Sequence, residues 1–267
     1  MPYIELNGAQ IYYEERGSGP QTIVFAHGLL WSGAMFESQV AHLSARYRCL
    51  CFDFRGQGKS EITSAGYDMD SLTRDAAALI QALGCAPCHF AGLSMGGFVG
   101  MRLALQYPQL LRSLILMDTT AEPEPAENIG RYRRLNFIAR WFGLGLVATP
   151  VMKIMFGEKF LRDATRAQER ALWQARLVAN DRHGITRAVQ AVIDRQGIAA
   201  GLSALDLPVL IMVGDQDVAT RPEKARALNA AIRNSRLVEI AGAGHSATIE
   251  EPQAVNAALD EFLAAQS

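Results

Sequence analysis

HFAGLSMGGFVG, residues 89–100, sets one serine among glycines at the seam between an apolar run and a helix-like run. Glycine inside a strand or helix costs roughly 0.5–1 kcal/mol relative to alanine. Gly92, Gly96 and Gly97 around Ser94 therefore ask for a reason. One is an ordinary tight connection. The other is a sharp turn that holds Ser94 outward, where side chains two positions away on either side would strike neighbouring backbone. Gly92-Leu93-Ser94-Met95-Gly96 fits G-x-S-x-G in the context that motif requires, with a strand before it and a helix after. Such a pentapeptide also arises by chance, so the surrounding chain has to decide.

Outward from this turn, apolar strands read at TIVFAH (22–27), RCLCFD (48–53), HFAGLS (89–94) and LRSLILMD (111–118). Helical stretches separate them near residues 33–45, 70–83 and 95–107. Uninterrupted apolar strands alternating with amphipathic helices predict a parallel sheet covered on both faces. YIELNG and QIYYEER, joined at Asn7-Gly8, predict an N-terminal hairpin. After Asp118 the alternation stops. Residues 121–204 show helical periodicity only, entered through AEPEPAEN, before strands resume at PVLIMVGD (208–215) and SRLVEIAG (235–242). A last helix is expected from about Pro252 to Ala265. The expected organisation is a core of residues 1–120 and 205–267 with a helical lid at 121–204.

With 267 residues, 49% hydrophobic and 20% charged, the composition is that of an ordinary globular domain with a full core. A net charge of −1 gives no sign of a nucleic-acid or anionic-membrane partner. MPYIELNGAQ lacks the basic start and apolar run of a signal peptide, and no stretch reaches membrane-span length, so a cytoplasmic location is expected. Cys49 and Cys51 alternate in one strand and read as small apolar residues facing one side. Cys85 and Cys88 form a C-x-x-C, but between a helix end at Gly84 and a strand start after Pro87. A redox pair of that type opens a helix, and zinc would need two further ligands. All four cysteines are expected to be reduced and structural.

DFRGQGKS (53–60) resembles a phosphate-binding loop, but Asp53 stands where the first glycine belongs, and EITSAGYD is a poor helix start. It reads as a glycine-rich turn. The serine fares better. A hydroxyl needs a base to take its proton, and the base needs an orienting acid, in the chain order Ser, Asp or Glu, His. His42 falls in a helix, His89 starts a strand, His183 lies in the lid, and His27 precedes the serine. His245, in a loop between the last strand and last helix, holds the required position. For the acid, Asp215 and Asp217 both qualify after PVLIMVGD, with Asp217 preferred; Asp118 is a third candidate, one strand earlier.

HGLL (27–30), DFRGQGKS (53–60), GLSMGG (92–97), GDQD (214–217) and GAGHSATIEEP (242–252) together resemble the α/β-hydrolase superfamily across the chain outside the lid. Within it, the chain is similar to small bacterial carboxylesterases and 3-oxoadipate enol-lactone hydrolases. The resemblance implies a mostly parallel eight-stranded sheet with helices on both faces. It implies Ser94, Asp217 and His245 as catalytic residues and the backbone N–H groups of Leu29 and Met95 as the oxyanion hole. His27, Asp53, Arg55 and Glu250 match framework positions. No metal or organic cofactor is implied. A small-molecule ester or lactone substrate is, and the oligomeric state stays open.

Substrate contacts are expected from Leu30 and from the lid residues Trp141, Phe142, Met155 and Trp173, with at least two of these four lining the cavity above Ser94. Phe137, Met152 and Phe156 add to the lid's apolar content. Arg131, Arg133, Arg134 and Arg140 offer a clamp for a carboxylate-bearing lactone, although a solvated basic face explains most of them. Perhydrolase-type relatives tend to carry proline where this chain has Leu30. Relatives that act as ligand sensors tend to have an elbow reading G-H-S-V-S rather than GLSMGG.

Overall fold

A computed structural model describes residues 2–266; Met1 and Ser267, the end residues of the expected core, lie outside the described residues. Strands β1 (Tyr3–Leu6) and β2 (Ala9–Arg16) pair antiparallel across Asn7 and Gly8, whose φ values are +48° and +73°. Both turn residues thus take the left-handed conformation that a two-residue hairpin demands. Strands β3 (Thr22–Ala26), β4 (Arg48–Phe52), β5 (Cys88–Leu93), β6 (Leu111–Met117), β7 (Val209–Gly214) and β8 (Ser235–Ile240) complete an eight-stranded sheet ordered β1-β2-β4-β3-β5-β6-β7-β8. From β3 to β8 all pairings are parallel.

Every residue of β3, β5 and β7 is buried, because helices cover both faces. The chain supplies α1 (Glu37–Leu43), α2 (Met69–Ala82) and α3 (Met95–Gln106) before β6. Between β6 and β7 it inserts α4 (Ala126–Phe142), α5 (Ala148–Met155), α6 (Glu158–Arg162), α7 (Ala167–Val178) and α8 (Arg182–Ile193). Helices α9 (Pro222–Ala231), α10 (Ala247–Glu250) and α11 (Pro252–Ala264) follow. Apolar side chains of α2, α3 and α9 fill one face of the sheet. Those of α1 and α11 fill the other, in one cluster with Met152, Phe156, Leu177 and Ile185 of the insertion. Cys49 and Cys51 share that second cluster, while Cys85 and Cys88 belong to the first, all four as free buried thiols.

The strand order places the site. The chain turns left from β3 to β4, then crosses back to lay β5 to β8 on the right. A crevice opens where the order reverses, at the carboxyl ends of β3 and β5. The HGLL loop leaves β3 there and the serine turn leaves β5 there. No helix among the described residues is long and apolar enough to cross a membrane.

Candidate active site

Ser94 sits between β5 and α3 with φ +51° and ψ −109°, a conformation that L-residues rarely adopt. A Cβ added at Gly92 would stand 2.3 Å from the Gly96 carbonyl oxygen, and one at Gly96 2.0 Å from that of Ala26. Those two glycines are sterically required. The strained turn is held on both sides. The Ser94 N–H donates to the Met117 carbonyl (2.8 Å), and its own carbonyl accepts from the Thr119 hydroxyl (2.8 Å) and the Phe98 N–H (3.0 Å).

His245 stands in the loop between β8 and α10, with Nε2 2.9 Å from Ser94 Oγ and Nδ1 2.8 Å from Asp217 Oδ2. With Nδ1–H donating to the carboxylate, Nε2 is left to accept from the serine hydroxyl. Asp217 lies in the loop after β7, and the backbone builds a cradle for it. Its Oδ1 accepts from the N–H groups of Ala219 (2.7 Å) and Thr220 (3.0 Å), and its Oδ2 from the Thr220 hydroxyl (2.8 Å). Burial opposes the charge on both groups, but each stabilises the other. Asp217 is held below the ordinary carboxylate range by His245 and its donors, and His245 is raised above 6.5 by Asp217, with Asp118 and Glu250 adding.

The two other candidate acids are engaged elsewhere. Asp215 accepts from the Gly242 N–H (2.7 Å). Asp118, fully buried, accepts from the N–H groups of Gly214 (2.8 Å) and Ala247 (3.3 Å), joining the end of β7 to the start of α10. Burial and the nearby Asp217 push its carboxyl well above the usual range. Glu250 grips the histidine loop. Its Oε1 accepts from Gly244 (3.0 Å) and Ser246 (3.1 Å), the residues flanking His245, and its Oε2 from Gly157 (2.7 Å) in the insertion. Burial lifts this carboxyl to about 7.

Among the described residues, no hydrogen bond occupies the N–H groups of Leu29 or Met95. The second of these opens α3, where helix geometry supplies no partner. The loop carrying Leu29 is pinned on either side. The Leu30 N–H donates to Gln57 Oε1 (2.9 Å), and the Leu30 carbonyl, on a residue with φ +75°, accepts from Asn180 at the end of α7 (2.9 Å). His27 accepts from the Phe54 N–H through Nε2 (2.9 Å) and is pushed down by burial, so it is a neutral strut. Asp53 accepts from Gly33 and Lys59, and Arg55 pairs with buried Asp75. The DFRGQGKS turn thus frames the loop after β3. The sequence reading missed Gln57, Thr119, Asn180 and Thr220. Only Gln57, inside a glycine-rich motif, carried any local signal.

A cavity of about 130 Å³ opens at Ser94 and His245 beneath the insertion, comparable to the roughly 150 Å³ that accepts benzene in a protein core. Leu29, Leu30 and Met155 line it, with Thr220 beside the histidine. Trp141, Phe142 and Trp173 do not, which corrects the expectation from sequence. Trp141 and Phe142 lie on the outward face of α4, 65% and 67% exposed, because that helix turns Leu135, Asn136 and Ala139 inward. Trp173 is buried against Trp31, ring centroids 5.3 Å apart, and fills the seam between α7 and the loop after β3. Of the four aromatic and methionine residues expected above Ser94, Met155 alone lines the cavity. None of Arg131, Arg133, Arg134 and Arg140 reaches it either; the arginine that does is Arg195.

The fold and this serine-histidine-aspartate line define an α/β-hydrolase. The chain matches the alpha/beta hydrolase fold family over residues 21–252 and belongs to it. It is 27% identical over 241 residues to 3-oxoadipate enol-lactonase 2 of Acinetobacter baylyi, spanning 90% of this chain and 88% of that protein. A thermophilic esterase from Thermogutta terrifontis superposes with a TM-score of 0.92 at 27% identity, covering 100% of this chain and 99% of that one. The enol-lactonase of Burkholderia xenovorans LB400 does so with a TM-score of 0.92 at 28% identity, covering 98% and 100%.

Proposed function

We propose that this hydrolase cleaves small carboxylic esters through an acyl-enzyme formed on Ser94. The observation that carries the reading is the Ser94–His245–Asp217 line, at hydrogen-bond distances, opening into an apolar cavity. Ser94 Oγ attacks the ester carbonyl while His245 Nε2 takes its proton; Asp217 fixes the imidazole tautomer and stabilises the imidazolium. The oxyanion is received by the N–H groups of Leu29 and Met95, each such donor being worth roughly 2.7–4 kcal/mol of barrier. His245 returns its proton to the leaving alkoxide. It then activates the water that releases the acid and regenerates Ser94. Residues 121–204 act as the lid, with Met155 and the inner face of α4 as its substrate side.

Lactone hydrolysis is the second reading, favoured by the likeness to two enol-lactonases. A carboxylate-bearing lactone calls for a free cation in the cavity. Arg195 is already paired with Glu124 at 2.8 Å, both side chains almost fully buried. Ester hydrolysis is therefore preferred.

The test compares wild type with Ser94→Ala on p-nitrophenyl acetate and butyrate, with fluorophosphonate labelling alongside. Wild type should turn over both and label, and the variant should lose roughly 10⁴-fold or more in turnover and all labelling. A variant that still labels, or a wild type inert to both esters, overturns the reading.

A further inference from the structure

The turn that carries Leu29 is built against its own backbone preference. The Trp31 N–H donates to the Gly28 carbonyl (3.2 Å), closing a four-residue turn with Leu29 and Leu30 at its centre. Leu30, the third residue, has φ +75°. A turn of that kind takes glycine or asparagine there, because a Cβ is crowded in the left-handed region. Here the position is a buried leucine that walls the cavity. The side chain serves the pocket, so the conformation has to be held from outside. The same four residues relax if the Leu29–Leu30 peptide turns over, which returns the φ of Leu30 to negative values.

Two side-chain amides oppose that, one on each side of the Leu30 Cα. Gln57 Oε1 accepts from the Leu30 N–H (2.9 Å) and so fixes the first peptide. Its Nε2 donates to Met95 Sδ (3.7 Å), so one buried amide touches both segments whose N–H groups receive the oxyanion. Asn180 Nδ2 donates to the Leu30 carbonyl (2.9 Å) and fixes the second peptide. The same nitrogen reaches the carbonyls of Arg176 (3.2 Å) and Leu177 (3.1 Å), which anchors it to the last turn of α7. Trp173 of that helix packs on Trp31, the residue that closes the turn. The insertion therefore grips the turn at two points.

We propose that Gln57 and Asn180 are positioning residues for the oxyanion hole, holding the strained Leu30 peptides so that the Leu29 N–H stays aligned with that of Met95, and that docking of the insertion through Asn180 is part of this alignment. This rests on the oxyanion role given to Leu29 and Met95 in the hydrolase reading. Gln57→Leu and Asn180→Leu are compared with wild type on p-nitrophenyl butyrate, with active sites counted by complete fluorophosphonate labelling. Two inhibitors separate the causes. An alkyl trifluoromethyl ketone forms a hemiketal with Ser94 whose oxygen carries negative charge as the transition state does; the methyl ketone of the same chain length binds without that charge. In each variant kcat/KM per active site should fall at least about tenfold, toward the roughly 10²–10³-fold that loss of one oxyanion donor costs. The trifluoromethyl ketone should weaken by a similar factor and the methyl ketone by less than about threefold. A purely structural role lowers the number of labelled sites and leaves both inhibition constants in place. A reshaped pocket weakens both ketones alike. Either result overturns the proposal. Asn180 is only half-buried at a helix end, so its variant decides even if Gln57→Leu does not fold. If wild type cleaves no ester and takes no label, the hydrolase reading at Ser94 has itself failed, and the proposal falls with it.

Discussion

Glu250→Gln tests whether the clamp on the histidine loop acts as its geometry implies. The wild-type carboxyl serves three N–H donors, those of Gly244 and Ser246 on Oε1 and of Gly157 on Oε2. Glutamine has one acceptor oxygen. In its better orientation it keeps the two bonds that flank His245 and turns its NH₂ toward the Gly157 N–H. One buried donor is then unpaired, at about 1–3 kcal/mol. Against this stands the charge. Burial lifts the folded carboxyl from the ordinary glutamate value of about 4.5 to about 7. A group raised on folding stabilises the protein most below its unfolded pKa, and that contribution disappears as pH rises through the folded value. At 1.36 kcal/mol per unit, the interval corresponds to about 3 kcal/mol, lost by wild type between pH 4.5 and 7 and absent from glutamine. Urea unfolding of both proteins at pH 5 and pH 8 should show the variant's stability relative to wild type improving by up to about 3 kcal/mol at the higher pH. Its kcat/KM on a short ester should fall about 5- to 150-fold, the range that 1–3 kcal/mol spans if the lost bond loosens His245. A stability difference independent of pH would refute the titration argument. Unchanged activity would refute the coupling to His245.

Asp217→Asn should lower kcat by about 10³–10⁴-fold, because an amide stabilises the wrong imidazole tautomer. Asp118→Asn should cost about tenfold at most, since that carboxyl only accepts from backbone, and Asp215→Asn less still; equal losses at Asp118 and Asp217, measured by steady-state kinetics, would move the acid one strand earlier. The kcat/KM–pH profile should rise with a midpoint above 6.5, because His245 must be neutral to accept the serine proton and its folded pKa is raised. The stability that the His245–Asp217 pair supplies through that same shift runs the other way, full below 6.5 and lost as pH rises through the folded value. Met155→Ala should shift the preferred ester toward larger groups, whereas Trp141→Ala, which removes a ring 65% exposed, should leave chain-length preference unchanged.

What the sequence determined by itself was everything that depends on near neighbours in the chain. The clash of a Cβ at Gly92 with Gly96, four residues on, is local, and so is the left-handed turn at Asn7-Gly8. Strands buried on both faces declare themselves by unbroken apolar runs, and the run of motifs from HGLL to GAGHSATIEEP follows the order of strand ends along one edge of the sheet. Tertiary structure decided the rest. Helical periodicity defines a face of α4 but not which way it points, so hydrophobicity nominated Trp141 and Phe142, while docking against α8 turned Tyr132 and Asn136 inward. Arg195 and Glu124 neutralise each other across 71 residues, and Asn180 reaches Leu30 across 150. Pairings that distant leave no periodicity or spacing in the chain, because they form only when separate elements close over the same cavity.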